Sequence, residues 1–385
     1  METKSAQALR SRLGALLKHR QADPANLALV CDLVDVYLQL GEAAQAEAVL
    51  TAALERRPGD QSLLFRASSL ALAKADHPEA LRILDGLAAQ GLDGIPVRCN
   101  RALALLWLGR PREVVESLRP LESRSREYPP LLLLLARAHM ALQELDAAMS
   151  MAGAFLSLRP DDPEGEGLMA LLLVDAGRYA EAVPHAAKSL AVNPGQLEAL
   201  LAQGRIALER QDAAQAIRNL KPALERYPTS GAAWSALAQA QLLRIDLPAA
   251  EQALEQALRY MPEHVGTWHL KAWCQIMRGD AAGAQKSYAA AYELDHNFGE
   301  THGGLAVTAA MQGQEAEART AIKRALRLNP KGLSARYAEA LLLEREGRAD
   351  AARAVIDELL NRESTHKGMS YLDVIRAYRA KLGRG

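Results

Sequence analysis

The chain contains few aromatic residues, few cysteines and no excess of either charge. Phe, Trp and Tyr make up 4% of its 385 residues, which suits helices packed through small side chains better than a sheet-rich core. Its three cysteines show no metal-ligand spacing, and so sparse and odd a number indicates a reducing compartment. Lys plus Arg equals Asp plus Glu at 46 each, a balance that disfavours a nucleic-acid binder.

Long hydrophobic runs are also missing. The run from Leu131 to Leu135 is far too short to span a bilayer. The first twenty residues lack the apolar core and the cleavage site of a secretory signal peptide. We therefore expect a soluble cytoplasmic protein without a membrane anchor, and the bias toward Ala, Leu and Arg favours a bacterial source.

What the chain does contain is a strict repeat of 34 residues. A period held without slippage indicates one small unit copied in tandem. Prolines at multiples of this spacing are Pro24, Pro58, Pro160, Pro194, Pro228, Pro262 and Pro330. Alanines in one register are Ala46, Ala80, Ala148, Ala182, Ala216, Ala250, Ala284, Ala318 and Ala352, and Gly41, Gly109, Gly177, Gly279, Gly313 and Gly347 precede that register by five residues.

Each unit reads as two antiparallel helices. In residues 163–193, a helical run ends at Gly177, because glycine tolerates the left-handed conformation at a helix C-terminus. A second run with apolar residues at three- and four-residue spacing follows and is closed by Pro194. Ala182, near the start of the second helix, lets the two helices approach closely.

These residues resemble the tetratricopeptide repeat family, whose 34-residue units are helical hairpins. The family pattern places a small residue at position eight, and here that position reads Ala102, Ala136, Ala170, Gly204, Ala238, Ala272, Ala306 and Ala340. The resemblance implies an all-α fold, a right-handed superhelical α-solenoid of antiparallel helix pairs. Ten units are expected over residues 27–366, starting near residues 27, 61, 95, 129, 163, 197, 231, 265, 299 and 333, with capping helices over residues 1–26 and 367–385.

Departures from the pattern predict local irregularity. Gly299, Gly303 and Gly304 would each weaken a first helix by up to about 1 kcal/mol relative to Ala, which predicts a soft spot there. Three prolines in second helices should bend or end them. These are Pro120, Pro184 and Pro222.

No catalytic motif is present: the sequence lacks a P-loop, a dinucleotide-binding glycine pattern, a nucleophile elbow and a zinc-protease motif. His264, His269, His296 and His302 are expected to be ordinary surface or groove residues rather than metal ligands. Cys31 and Cys99 are expected to lie too far apart for a disulfide. We therefore predict a non-catalytic scaffold that needs no metal and no cofactor.

The resemblance further implies that positions two, five, nine, and twelve or thirteen of the first helices face a concave groove. The groove is predicted to bind a partly apolar peptide or helix that carries acidic groups, since Trp side chains offer apolar area and Arg pairs carboxylates. The predicted partner-binding residues are Trp107, Arg137, Arg205, Gln239, His269, Trp273, Met277 and Tyr337. Other members of this wall include Leu133, Leu171 and Leu201, whereas Trp234 and Trp268 are assigned to the core.

Two alternatives to a plain scaffold stay open. The chain could be an accessory subunit that presents a substrate to a separate enzyme or to a secretion or envelope assembly machinery, or it could self-associate. Position five of the first helices carries no Lys, so the carboxylate clamp by which some family members hold chaperone tails is not expected.

Overall fold

The structure, a computed structural model, describes residues 4–361, with side chains from residue 7 onward. This part of the chain folds into 21 α-helices and one short 3-10 helix, without a strand. The predicted all-α fold of helix pairs is confirmed. None of the described helices is long and apolar enough to cross a membrane. The predicted C-terminal capping helix, residues 367–385, lies outside the described residues.

The chain divides into two units between Ala176 and Gly177. The N-terminal unit contains ten α-helices among the described residues. They are α1 (Lys4–Ala22), α2 (Leu27–Gln39), α3 (Ala43–Arg56), α4 (Gln61–Ala73), α5 (His77–Ala89), α6 (Ile95–Trp107), α7 (Pro111–Leu118), α8 (Pro130–Ala141), α9 (Leu145–Leu158) and α10 (Pro163–Asp175), with the 3-10 helix Arg119–Arg124 after α7.

The C-terminal unit contains eleven α-helices among its described residues. They are α11 (Tyr179–Val192), α12 (Leu197–Glu209), α13 (Ala213–Arg226), α14 (Gly231–Leu243), α15 (Leu247–Tyr260), α16 (Val265–Met277), α17 (Ala281–Leu294), α18 (Gly299–Met311), α19 (Glu315–Leu328), α20 (Leu333–Arg345) and α21 (Ala349–Asn361). Within each unit, the even-numbered helices from α2 onward are the first helices of the pairs. Successive first helices contact one another, as α12 contacts α14 and α14 contacts α16.

The turn inside each pair requires a left-handed residue. The glycines of the repeat register have positive φ, for example 74° at Gly41 and 80° at Gly279. Where the register lacks glycine, the chain adopts the same conformation with another residue: Ala75, Gln143, Gln211 and Ile245 have φ between 55° and 62°. The turn geometry is therefore imposed by the packing of the helix pair and not by glycine alone.

Small residues meet where the two helices of a pair cross. Ala216, Ala250 and Ala284 of the second helices are fully buried, as are Ala238 and Ala272 of the first helices. Where Gly204 occupies that position, an added Cβ would lie 2.6 Å from Cδ2 of Leu220. Because nothing larger fits, the alanine register defines how closely the helices pack.

The prolines of the second helices behave differently from one another. Helix α7 ends at Leu118, shortly before Pro120, as proline predicts. Helices α11 and α13 continue through Pro184 and Pro222, so of the two expected effects, bending or ending, the second does not occur in these helices. Both prolines are exposed.

Candidate partner-binding cavity

A cavity of about 440 Å³ opens on the first helices of the C-terminal unit, and we name it the Arg205 cavity. Helix α12 contributes residues one turn apart, as does α14, because three- and four-residue spacing places side chains on one helix face. The lining residues are Tyr179, Arg205, Leu208, Glu209, Gln239, Leu242, Leu243 and Leu270.

The lining combines an apolar surface with a few polar groups. Its four leucines and Arg205 are half-buried, whereas Gln239 is exposed. Arg205 and Glu209 are one helical turn apart, so the cavity presents one positive and one negative charge. The positive charge of Arg205 also acts on His264: burial lowers the pKa of His264, and the charge of Arg205 lowers it further. Such a cavity can hold apolar side chains and hydrogen-bond a peptide backbone.

Helix α16 continues the surface beyond the cavity. Leu270, Trp273 and Met277 are spaced three and four residues apart, which places them on one face of the helix. The Trp273 ring lies 6.2 Å from the Tyr337 ring at an angle of 40°, and Met277 is 48% exposed. The structure thus brings Trp273 and Tyr337 together, and it brings Arg205 and Gln239 together in the cavity.

His269 lies on α16 but is engaged in contacts between helices. Its Nε2 and Oγ1 of Thr301 are 2.8 Å apart, and its ring packs against Tyr288 and Phe298 at centroid distances of 5.2 and 5.3 Å. Burial lowers the pKa of His269, and the Glu300 carboxylate partly opposes this. His269 therefore acts as a neutral packing residue at the edge of α18.

The two remaining predicted residues lie in the N-terminal unit. Trp107, the last residue of α6, is 66% exposed and stacks on His77 with the ring centroids 5.3 Å apart. Burial lowers the pKa of His77, whose Nδ1 has no hydrogen-bond partner among the described residues. Arg137 is 3.6 Å from the Glu164 carboxylate. Neither Trp107 nor Arg137 lines the Arg205 cavity.

The sequence assigns Trp234 and Trp268 to the core. In the structure both are half-buried and lie outside it. Each indole Nε1 donates a hydrogen bond to the carbonyl oxygen six residues earlier, in Pro228 and Pro262, at 2.8 Å. These side chains fix the turn before their own helix. Their polar edge explains the position, because a buried indole N–H needs an acceptor.

Six of the eight lining residues were not predicted from the sequence: Tyr179, Leu208, Glu209, Leu242, Leu243 and Leu270. Leu208 and Leu242 occupy position twelve of their units. The family pattern indicates that position twelve or position thirteen faces the groove, without deciding between them. Tyr179 is the first residue of the second helix α11, and Leu270 lies outside the predicted stripe. No sequence signal marks Leu270, since its exposure depends on how α14 and α16 are spaced.

The cysteines and histidines form no metal-binding group in the described part of the chain. Cys31, Cys99 and Cys274 are free and buried, and burial raises the pKa of Cys99 to about 11, which keeps this thiol protonated. Across residues 4–361, no three His, Cys, Asp or Glu side chains are grouped so that they could hold a metal.

Comparison with known families gives matches along most of the sequence. One family model, described as tetratricopeptide repeat, matches residues 105–172, 173–240 and 207–274. A second, with the same description, matches residues 31–92 and 304–366, and the two together cover more than half of the chain. A comparison with curated proteins finds no significant match.

Solved structures show the same fold at low sequence identity. Human IFIT1, solved as a dimer with m7Gppp-AAAA, is 15% identical, with a TM-score of 0.56 over 93% of this chain and 94% of that chain. The hetero-tetramer Cut9-Hcn1 of the APC/C is 14% identical, with a TM-score of 0.54 over 91% of this chain and 83% of that chain. At these identities the likeness concerns the fold alone.

Proposed function

Because this chain belongs to the tetratricopeptide repeat family, we propose that it is a non-catalytic interaction scaffold that binds a segment of a partner protein in the Arg205 cavity. The observation that carries the proposal is the lining of this cavity. Four half-buried leucines surround Arg205, Glu209 and Gln239, so apolar anchoring and polar orientation are available in one place.

The lining indicates the chemistry of the partner segment. An apolar side chain buried against the leucines contributes about 1.5–3 kcal/mol. The Gln239 amide can pair with a peptide group of the partner, since it both donates and accepts hydrogen bonds. An acidic side chain of the partner fits beside Arg205, on the side away from Glu209, because next to Glu209 it would meet a like charge.

The same segment can extend along α16. Leu270 belongs to the cavity, and Trp273 and Met277 follow on the same helix face. A partner that is apolar along one side would cover all three residues. We therefore propose a segment with two or more apolar anchors and one acidic side chain, bound between α12 and α16.

Selection of peptides on the immobilised protein tests the proposal. Short random linear peptides displayed on phage are selected against the whole chain, and the affinity of an enriched peptide is measured by fluorescence anisotropy. We expect enriched peptides to combine apolar residues with an acidic residue. Arg205→Glu should weaken their binding by about ten-fold or more, because it replaces a charge-assisted contact by repulsion.

Arg218→Glu is the matched control. Arg218 is exposed on the second helix α13 and does not line the cavity, but the substitution changes the net charge by the same amount. Its affinity should equal that of the unaltered protein. If both variants bind equally well, or if the enriched peptides are basic and lack apolar residues, the assignment of the Arg205 cavity is wrong.

A further inference from the structure

A second cavity, in the N-terminal unit, has a lining of different chemistry. It has a volume of about 190 Å³ and lies between the end of α1, the start of α2 and the end of α3. We name it the Arg20 cavity. Its lining residues are Arg20, Pro24, Ala25, Leu27, Val30, Ala52, Ala53, Arg56 and Arg57.

Three arginines line this cavity, and no carboxylate does. Among residues 7–361, none of the three forms an ion pair. Of the carboxylates closest in sequence, Glu55 is exposed and does not line the cavity. Asp23 accepts a hydrogen bond from Asn26 at 3.0 Å, and Asp60 accepts from the backbone N–H groups of Ser62 and Leu63 to cap α4. The rest of the lining is apolar. A concentration of like charge around an apolar floor favours an anionic ligand.

The position of Arg20 is unusual within the repeat. At the equivalent place, seven of the ten later second helices carry leucine: Leu54, Leu156, Leu190, Leu224, Leu258, Leu326 and Leu360. Arg20 and Arg56 also lie in the last turns of α1 and α3, where basic residues offset the helix dipole. The dipole accounts for a basic residue at each helix end, but not for three guanidinium groups around a single cavity.

We infer that the Arg20 cavity binds a compact oxyanion, a carboxylate or a phosphate, carried on a short apolar stem. The guanidinium groups would bind the oxygens, since their planar N–H groups match both anions. The stem would contact Leu27, Val30 and Ala53. The cavity is smaller than the roughly 300–1,000 Å³ of sites for whole small molecules, so it admits one anionic group and one side chain of a ligand.

Isothermal titration calorimetry on the whole chain tests this inference with defined probes. N-acetyl-leucine carries a carboxylate on an apolar stem, and butyl phosphate carries a phosphate on one. N-acetyl-leucinamide keeps the stem but lacks the charge, and inorganic phosphate has the charge but lacks the stem. We expect at least one stem-bearing anion to bind and to bind better than both controls, and the preferred anion identifies the ligand class.

Two variants and a matched control locate the binding. Arg20→Leu introduces the residue that most of the other repeats carry, so it should fold, and it should weaken binding by about ten-fold through loss of one charge-assisted hydrogen-bonding group. Arg56→Gln should act in the same direction. Arg159→Glu is the control, because Arg159 follows α9 as Arg57 follows α3, but it is not part of the Arg20 cavity.

The outcomes separate cleanly. Binding that is lost in Arg20→Leu and Arg56→Gln but kept in Arg159→Glu supports the site. Absence of binding by both stem-bearing anions, equal binding of N-acetyl-leucinamide, or equal loss in Arg159→Glu would overturn it. If the arginines only offset helix dipoles, the two variants change the thermal midpoint and no probe binds.

Discussion

Two parts of the C-terminal unit use their first helices in opposite ways. Helix α18 packs closely against α20, and residues 301–304 and 306–310 are all buried. An added Cβ at Gly303 would lie 2.8 Å from the backbone nitrogen of Ala335. Helices α12, α14 and α16 instead carry Arg205, Gln239 and Leu270 around a cavity of about 440 Å³. The size of a few side chains decides whether neighbouring first helices close on each other or leave room for a ligand.

The contact between α18 and α20 is also stabilised by an unusual helix cap. Gly332, at the start of α20, has no side chain to cap it, and Glu300 of α18 supplies the cap instead. Oε1 of Glu300 accepts from the Leu333 N–H at 3.1 Å, and Oε2 accepts from the Ser334 hydroxyl at 2.7 Å. The glycine-rich helix α18, for which the sequence predicts low stability, is thereby hydrogen-bonded to the first helix of the next repeat, α20.

The largest effect is expected from Gly304→Ala. An added Cβ would overlap the ring of Tyr288, which is fully buried and cannot move aside. Overpacking should lower the free energy of unfolding by about 2–3 kcal/mol, measured as a shift of the urea midpoint. Gly86→Ala is the control: it lies inside α5 with open space around its Cα, and it should gain up to about 1 kcal/mol. Equal behaviour of the two variants would refute the close-packing account.

Glu300→Ala should cost less, about 1–2 kcal/mol. The variant leaves the Leu333 and Ser334 N–H groups at the start of α20 without their acceptor. Hydrogen exchange of the first turn of α20 should accelerate most. Glu293→Ala, at an exposed position of α17, should change stability by less than about 0.5 kcal/mol. Unchanged exchange in α20 would mean that the cap contributes nothing.

Trp273→Ala tests the region of α12, α14 and α16, where the first helices leave room for a ligand. Removing the indole should weaken binding of a peptide selected on the protein by about ten-fold, with the chain still folded. Trp268→Ala, on the same helix, should do the reverse: it loses the hydrogen bond to Pro262 and lowers stability, but keeps the peptide affinity. Anisotropy and thermal unfolding of both variants distinguish the two roles, and identical profiles would argue against them.

The smallest effect concerns pH. Because the folded chain depresses the pKa of His269, the unfolded chain binds a proton more readily, and stability should fall as the pH drops below about 6.5. The slope from one such group is at most about 1.4 kcal/mol per pH unit. His269→Gln should have a shallower slope, with His77 and His264 supplying part of the remainder. If the free energy of unfolding depends on pH with the same slope in both proteins, His269 does not contribute to the pH dependence.

The sequence predicts the helices well because their ends depend on local residues. Proline and glycine at the 34-residue spacing set the turns, and the alanine register sets the crossing of each pair. Even so, Ile245 adopts a φ of 57° that its side chain disfavours, because the neighbouring helices require that turn. Local preference is here overridden by packing.

The candidate site is less predictable, because exposure on the first helices depends on how far apart neighbours lie. Leu133, Leu171 and Leu201 belong to the predicted wall, yet they are only 4%, 8% and 6% exposed. Leu270 was not predicted and lines the cavity. Whether such a leucine is buried or lines a cavity depends on the distance between neighbouring first helices. Contacts between repeats set this distance, and the size of single residues, such as Gly303 and Gly304, controls it.

The most direct test of the account is photo-cross-linking of a selected peptide that carries a benzoylphenylalanine, with the attachment sites identified by mass spectrometry. We predict attachment to residues of α12, α14 and α16, including Leu208, Leu242 or Leu270, and none on α18. Attachment confined to α18 and α20, or to the second helices, would contradict the assignment of the Arg205 cavity as the binding site.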